Sequence, residues 1–272
     1  MKRKFFKRIV KDVNPDIIHT VGLRPDFHAV VDFQNYPSIT TVRNCIELDY
    51  IPRYGKYFGR VLSWFHVKLL RKLNCVVGCS KTVSRYLQEK HRISSHVIQN
   101  GVDTRKFSPI GSQKKKELRH QLKLPKDSFI YIAVGRVGYR KNQEQLIRCF
   151  MKACKDKNAK LLIVGKVESD FMFLKQIKTD QLIFTGYVNN TIDYLQASDV
   201  FVTTSRAEGL PNSLLEAMSC RLPVLASNIE PHKEVYEKEP RIGLLYDLND
   251  DNDLQSCLIS MYELKTLNSM AE

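Results

Sequence analysis

Two glutamates, Glu208 and Glu216, are separated by seven residues in the run Glu208-Gly209-Leu210-Pro211-Asn212-Ser213-Leu214-Leu215-Glu216. A Gly-Pro turn after a short apolar strand can turn free backbone N–H groups toward a diphosphate. The helix that follows would carry Glu216 about one turn in, toward the same side. A carboxylate beside a diphosphate is repulsive unless it accepts hydrogen bonds, so the partners expected for it are sugar or ribose hydroxyls. Two solvated carboxylates, one favoured near a helix N-terminus, would leave the same trace. A second run, Gly135-Arg136-Val137-Gly138-Tyr139-Arg140-Lys141-Asn142, also follows an apolar strand and precedes a helical pattern. Strand–turn–helix geometry makes an anion site of such a turn, and Arg136 and Lys141 add positive charge to it. The run lacks the Gly-Lys-Ser/Thr of a Walker loop and is not a full dinucleotide fingerprint. By itself it reads either as a phosphate cradle or as an ordinary strand–helix connection.

These motifs need elements to hold them. Short β-branched runs recur at Asp16–His19, Ser38–Val42, Cys75–Gly78, His96–Ile98, Phe129–Val134, Lys160–Val164, Leu182–Thr185, Val200–Thr204 and Pro223–Ala226. Helical patterns lie between most of them. The longest spans Tyr54–Leu73, with Phe58, Val61, Leu62, Phe65, Leu69 and Leu73 at helical spacing. Others are the basic stretch 2–13, Lys81–Lys90, Asn142–Lys155, Asn212–Ser219 and Asp251–Glu263. Apolar strands alternating with helices predict an α/β fold with parallel sheets covered on both faces. The Pro-, Gly-, Ser- and charge-rich stretch Phe107–Lys126 separates a first domain, 1–108, from a second, 109–272. Lys114–Lys116 within it reads as a solvated helix face. Asp247–Asp253 reads as a loop and helix cap, without the Gly and terminal Glu of a calcium loop.

The chain has 272 residues, 43% of them apolar. That is enough to bury a core without disulfides or metal. The seven cysteines have irregular spacings and read as reduced thiols. No apolar run approaches the ~18 residues of a membrane span. The first residues are basic, and charges break up their apolar positions, so no secretory leader is expected. Of the net charge of +14, residues 1–108 carry 20 Lys and Arg against 8 Asp and Glu. A surface this basic attracts phosphate in lipid, nucleic acid or substrate. No nucleic-acid-binding signature accompanies it, so no nucleic-acid partner is expected.

Glu208–Glu216 resembles the E-x7-E signature of retaining glycosyltransferases of the GT-B class, specifically glycosyltransferase family 4. Gln99-Asn100-Gly101-Val102-Asp103 with Phe107 and Pro109 is similar to that family's interdomain segment. Gly135-Arg136 with Lys141 resembles its diphosphate-binding pair, and Phe184-Thr185-Gly186-Tyr187-Val188 its nucleobase-side turn. Ala197-Ser198-Asp199-Val200-Phe201-Val202 with Ser205 resembles the strand before the first glutamate. The resemblance implies two Rossmann-like domains facing a cleft, the second, 109–272, holding a nucleotide sugar, with uridine the expected base. Arg136 and Lys141 would neutralise the leaving diphosphate in place of a metal, so neither a metal nor a cofactor is expected. Glu208 would hold donor-sugar hydroxyls and Glu216 the ribose. Gly135, Gly186, Tyr187, Val188 and the stretch Gly209, Leu210, Pro211, Asn212 and Ser213 would line the donor.

On the acceptor side, Asp16-Ile17-Ile18-His19-Thr20-Val21-Gly22-Leu23-Arg24-Pro25-Asp26 resembles the family's D-I-I-H-x-H-G-x-R-P-D stretch. Val42-Arg43-Asn44 through Asp49-Tyr50 and Tyr54-Gly55 resembles its H-N…D-Y…Y-G segment. Val21 and Arg43 stand where histidines are usual. His19 is a candidate near the reacting centre, and Arg24 and Asn44 are candidates for acceptor phosphate. Family members open with further β–α units and return a C-terminal helix to the first domain, so the N-terminal domain is expected to be incomplete. A second polypeptide is one way to complete it. The implied activity is sugar transfer to a lipid-linked glycan in capsular or exopolysaccharide-type synthesis, in the cytoplasm at the inner membrane face. An anionic membrane surface would be a partner, and the basic helix 2–13 either touches it or packs on the sheet. The alternatives are a non-catalytic nucleotide-sugar-binding subunit and, against the E-x7-E motif, a sugar-nucleotide epimerase.

Overall fold

The computed structural model describes residues 3–270, with side chains through 264. Residues 1, 2, 271 and 272, which the expected basic helix and the outer domain bounds include, lie outside them. The chain forms two compact units. The first is Met1–Asn100 with Ala207–Leu210, and the second is Gly101–Arg206 with Pro211–Glu272. The division falls at Asn100/Gly101, whereas the sequence placed it at 108/109. Residues 107 and 108 are tied into the second unit by side chains of that unit. The Ser219 hydroxyl donates to the Phe107 carbonyl, and Gln196 Nε2 donates to the Ser108 carbonyl at 2.7 Å.

The first unit runs α1 (Arg3–Val13), β1 (Ile18–Thr20), α2 (Leu23–Asp32), β2 (Ser38–Val42), α3 (Ile46–Tyr54), α4 (Lys56–Leu70), β3 (Cys75–Gly78), α5 (Lys81–His91) and β4 (His96–Val97). Its four strands form a parallel sheet in the order β1-β2-β3-β4. The expected helix Tyr54–Leu73 is α4, Lys56–Leu70, and a turn at Gly55 leaves Tyr54 at the end of α3. Its buried side also differs from the stripe read in the sequence. Gly59, Ser63, His66, Val67, Leu69 and Leu70 are buried; of the stripe read in the sequence, Leu69 and Leu73 are buried while Phe58 and Val61 are exposed. Small side chains at Gly59 and Ser63 let α3 approach α4 closely, which rotates the larger apolar residues outward. Helix α1 packs Phe6 against Phe33 and His28, and buries Val10. Arg3 and Lys7 pair with Asp32, whose carboxyl these contacts, led by Arg3, hold far below the usual carboxylate range. The helix is therefore packed on its own unit, although Phe5, Ile9 and Val13 remain exposed.

The second unit runs α6 (Ser112–Gln121), β5 (Phe129–Val134), α7 (Gln143–Ala153), β6 (Ala159–Val164), β7 (Leu182–Gly186), α8 (Thr191–Ala197), β8 (Val200–Thr203), α9 (Asn212–Ser219), β9 (Val224–Ser227), α10 (Glu230–Tyr236), β10 (Gly243–Tyr246) and α11 (Asp251–Met270). Its parallel sheet has the order β10-β9-β8-β5-β6-β7. The inner strands β5, β6, β8 and β9 are buried on both faces, as parallel sheets require, with Tyr131, Phe150, Leu161, Ile163 and Val202 in one core. Tyr131 donates its hydroxyl to the Leu258 carbonyl at 2.6 Å, fixing α11 over the sheet.

Helix α6 shows why Lys114–Lys116 is not simply a solvated face. Lys114 and Lys116 are exposed, but Lys115 Nζ lies 2.6 Å from Asp199 Oδ1. Arg119 Nη2 lies 2.6 Å from Asp199 Oδ2, and the Ile130 N–H also donates to that oxygen at 2.8 Å. Burial raises the Asp199 pKa, but the two cations outweigh it and hold the group below its ordinary value. The Asp247–Asp253 stretch is the loop and cap expected. Asp250 Oδ1 accepts from the N–H groups of Asn252 and Asp253, and Asp251 pairs with Arg148 at 2.7 Å. All seven cysteines are free thiols. Burial pushes Cys45, Cys149, Cys154, Cys220 and Cys257 up to about 11.

Candidate functional site

In the second unit the strand order reverses between β5 and β8, so consecutive connections leave in opposite directions there. The crevice beyond the carboxyl ends of two such strands is where open α/β sheets bind ligands. Both motifs singled out in the sequence issue from this pair. Residues 135–142 follow β5, and residues 204–211 follow β8. Side chains bind the two loops together. The Thr204 hydroxyl lies 3.0 Å from the carbonyls of both Lys141 and Asn142. Arg206 donates its backbone N–H to the Arg140 carbonyl and Nη2 to Asn142 Oδ1, both at 2.8 Å, and lies over the Tyr139 ring at 4.9 Å. Ser227 on β9 holds the Ser205 carbonyl at 2.7 Å.

The rim of the sheet explains the glycines. The Gly135 N–H donates to the Val164 carbonyl and the Gly165 N–H to the Gly186 carbonyl, both at 2.9 Å. The ends of β5, β6 and β7 are thus laced edge to edge. A Cβ at Gly165 would lie 2.1 Å from the Gly135 carbonyl oxygen, and its φ of +147° disfavours any side chain. Gly165 was not singled out by sequence reasoning. Its signal is a glycine at a strand end, in register with Gly135.

Lys141 folds back so that its Cε would be 2.9 Å, and its Nζ 3.5 Å, from a Cβ placed on Gly135. Glu216 is half-buried in α9. Burial raises its pKa, opposed by the nearby charges of Lys106 and Lys141. The structure therefore brings Gly135, Lys141 and Glu216 into one neighbourhood and adds Lys106, which sequence reasoning missed. Arg136 has a different neighbour, its Nη1 lying 3.6 Å from Glu168 Oε1. Pro211 starts α9, its carbonyl accepting from the N–H groups of Leu214 and Leu215. Asn212 is exposed and Ser213 half-buried. Beyond β7, Tyr187 stands 76% exposed and Val188 half-buried.

In the first unit, Glu208 is buried in the segment Ala207–Leu210. Gly209 passes so close to the end of β2 that a Cβ there would lie 2.0 Å from the Arg43 carbonyl oxygen and 2.8 Å from Cys79 Sγ. Asn100 Nδ2 fastens the same segment through the Leu210 carbonyl at 2.9 Å. Of the acceptor-side candidates, Asn44 lines a cavity of about 110 Å³ with Val21, Gly22, Arg43, Tyr50 and His66. Asn44 also turns its Oδ1 onto the Cys45 N–H at 2.9 Å. His19 and Arg24 are not among the residues lining this cavity. His19 Nε2 meets Thr41 Oγ1 at 2.8 Å, and Arg24 is exposed.

The floor of this cavity was not anticipated. Asp26 is fully buried, and its Oδ1 accepts from Thr20 Oγ1 at 2.5 Å and Thr40 Oγ1 at 2.8 Å. Its Oδ2 lies 2.7 Å from His66 Nε2, and His66 Nδ1 lies 2.9 Å from the Tyr50 hydroxyl. A carboxylate only accepts, so His66 Nε2 carries a proton. In neutral His66 the Tyr50 hydroxyl then donates to Nδ1. Burial raises the Tyr50 pKa to about 12. Asp26 and Tyr50 stand in the motif stretches, but His66 lies on a helix with no local signal of a polar partner.

Two parallel sheets, the second doubly wound with strand–turn–helix loops at its switch point, define an α/β protein with the architecture of nucleotide-binding folds. The chain belongs to the family described as glycosyl transferases group 1, whose model matches residues 114–272, and the model described as Glycosyltransferase Family 4 matches residues 2–106. It is 32% identical over 220 residues to the Escherichia coli UDP-Gal:alpha-D-GlcNAc-diphosphoundecaprenol alpha-1,3-galactosyltransferase, covering 78% of this chain and 56% of that protein. The chain thus spans little more than half the length of that relative. Sucrose-phosphate synthase from Thermosynechococcus elongatus superposes with a TM-score of 0.80 at 23% identity, over 96% of this chain and 67% of that one. Anabaena HepE in complex with UDP-glucose gives 0.79 at 20% identity, over 95% and 72%. These likenesses bear out the α/β fold with parallel sheets of the GT-B type.

Proposed function

We propose that this chain carries out retaining transfer of a sugar from a UDP-linked donor to a lipid-linked glycan, in the synthesis of a cell-surface polysaccharide of capsular or exopolysaccharide type. The observation that carries this reading is Lys141 folded against Gly135 at the β5/β8 switch point, its charge felt at half-buried Glu216. There, backbone N–H groups and a lysine suit a diphosphate, and a half-buried carboxylate suits ribose hydroxyls. The donor and acceptor classes are supported by the Escherichia coli relative, a transferase from a UDP sugar to a diphosphoundecaprenol-linked acceptor. The UDP-glucose bound to HepE agrees with a uridine donor.

In the proposed reaction an acceptor hydroxyl attacks the anomeric carbon on the face that the diphosphate leaves. The bond from carbon to phosphate oxygen breaks, its electron pair stays on the UDP, and that oxygen takes the acceptor proton. Negative charge grows on the leaving group, so the cations of Lys141 and Arg136 would lower the barrier most where that charge is largest. Glu208 would orient donor-sugar hydroxyls. His19, Arg24 and Asn44 would serve the acceptor side, and a lipid-linked acceptor agrees with a reaction at the cytoplasmic face of a membrane.

Calorimetric titration of the full chain with UDP, GDP and ADP tests the donor site. The expected result is preference for UDP, with affinity reduced about tenfold or more in Lys141→Ala and in Glu216→Ala, the weight of a charge-assisted hydrogen bond. A folded chain that binds none of the three overturns the reading. UDP binding without transfer to a lipid-linked acceptor would leave a nucleotide-sugar-binding subunit.

A further inference from the structure

Helix α4 turns an apolar face to solvent that its own unit does not use. Tyr57 is 84% exposed, Phe58 60%, and Val61 and Trp64 59% each. At 100° per residue these four and Phe65 occupy an arc about 120° wide. The opposite side of the helix is already buried through Gly59, Ser63, His66 and Leu70. Tyr54, at the end of α3, extends the patch, its ring 6.3 Å from that of Phe58.

The charge around the patch is predominantly positive. From Arg53 to Lys72 the chain carries six Lys and Arg and no Asp or Glu. Lys68 Nζ lies 4.5 Å over the Trp64 ring. Arg60 borders the patch and, with Trp64 and Arg71, lines a groove of about 430 Å³. A contiguous exposed apolar patch marks an interaction site. Tryptophan and tyrosine among snorkelling cations, with the one acid of the groove, Glu47, already paired to Lys90 at 3.2 Å, match the headgroup region of an anionic bilayer. Among the described residues no helix is long and apolar enough to cross a membrane, so the contact lies along its surface.

We propose that this face of α4 docks on an anionic lipid bilayer. The aromatic arc sits at the headgroup–acyl boundary, and Arg60 and Lys68 meet lipid phosphates. The proposal deepens the reading above, since a lipid-linked acceptor is met at such a surface. Helix α1 is the competing surface, but its Arg3 and Lys7 are engaged by Asp32.

Trp64 is the only tryptophan of the chain, so its fluorescence reports this face directly. The full chain is titrated with vesicles of equal parts phosphatidylglycerol and phosphatidylcholine, and with phosphatidylcholine alone. The expected result is a blue shift of Trp64, and quenching by brominated acyl chains, with the anionic vesicles only. Tyr57→Ser with Val61→Ser should weaken partitioning about tenfold or more, from the lost apolar burial. Arg60→Gln with Lys68→Gln should weaken it about fivefold per charge. Phe5→Ser with Ile9→Ser on α1 should leave it unchanged.

UDP titration of each variant separates the two readings. Lost docking with UDP affinity intact confirms a separate lipid surface, and docking by a chain that binds no UDP leaves this proposal standing while the donor site falls. The proposal is overturned by absence of vesicle binding, by binding that leaves Trp64 unshifted, by loss on the α1 changes alone, or by a second protein that shields Trp64 and blocks vesicle binding.

Discussion

Replacing Asp199 by asparagine tests how the second unit is held behind its site. Asp199 joins α6 to the starts of β5 and β8 through Lys115 and Arg119, each at 2.6 Å, and the Ile130 N–H at 2.8 Å. The side chains are 12%, 25% and 8% exposed, respectively, for Asp199, Lys115 and Arg119. Arg119 also donates to the carbonyls of Ala197, Lys126 and Ser128, so it cannot swing out to water without breaking those bonds. Asparagine keeps an acceptor for Ile130 but removes the negative charge and turns an NH₂ group toward a cation. Breaking a buried pair from one side costs about 3–5 kcal/mol. Lys115 retains some access to water, so about 3 kcal/mol is expected for Asp199→Asn at neutral pH. The assay is urea unfolding followed by circular dichroism. Asp180→Asn is the control, because Asp180 pairs with Lys160 at a similar 2.7 Å but is 86% exposed, so no measurable change is expected.

The pH dependence supplies a second arm. The folded pKa of Asp199 is depressed, so its contribution is fully present above the unfolded carboxylate value of about 3.9. It is lost as pH falls through the lower folded value. The Asn variant should therefore lose less stability than the native chain over that acid window. Equal urea midpoints for Asp199→Asn and the native chain at neutral pH would refute the argument that burial, not distance, sets the strength of this pair.

Two further outcomes follow from the site geometry. Gly165→Ala should destabilise the chain by about 2 kcal/mol or more, since its Cβ would meet the Gly135 carbonyl at 2.1 Å in a backbone conformation only glycine favours. UDP affinity, measured by calorimetry on the folded fraction, should fall with it, because Gly135 carries the loop that holds Lys141. His66→Ala should cost about 2–4 kcal/mol in urea unfolding, by leaving the buried Asp26 carboxylate short of a donor. Asp26→Asn in the His66→Ala background should recover part of that loss, as the double-mutant cycle would show.

Much of the fold was legible because its signals are local. Apolar runs such as Phe129–Val134 and Lys160–Val164 became β5 and β6 almost residue for residue. The helix starting at Asp251 was legible from its acidic cap. The α4 helix shows where local reading fails. A helical period locates an apolar stripe but does not say which side is covered, and α3, unread in the sequence, covers the side with glycine and serine. The 108/109 boundary lies between the two family matches, 2–106 and 114–272, while the compact units part at Asn100/Gly101. A polar, proline-rich stretch looks like a linker, yet residues 107 and 108 are hydrogen-bonded by side chains from α8 and α9.

The sequence by itself determined the alternation of strands and helices, the placement of Gly135–Asn142 and Glu208–Glu216 after apolar strands, and the concentration of positive charge before residue 109. Each follows from the order and chemistry of neighbouring residues. Only the tertiary structure decided that β5 and β8 lie side by side, that Gly165 must let the Gly135 carbonyl pass, and that Lys141 reaches the region of Glu216. Only it joined Asp26 to His66, forty positions along the chain. Strand order and side-chain pairing are settled by which surfaces exclude water together and which buried polar atoms find partners, and those partners come from segments that no local pattern connects.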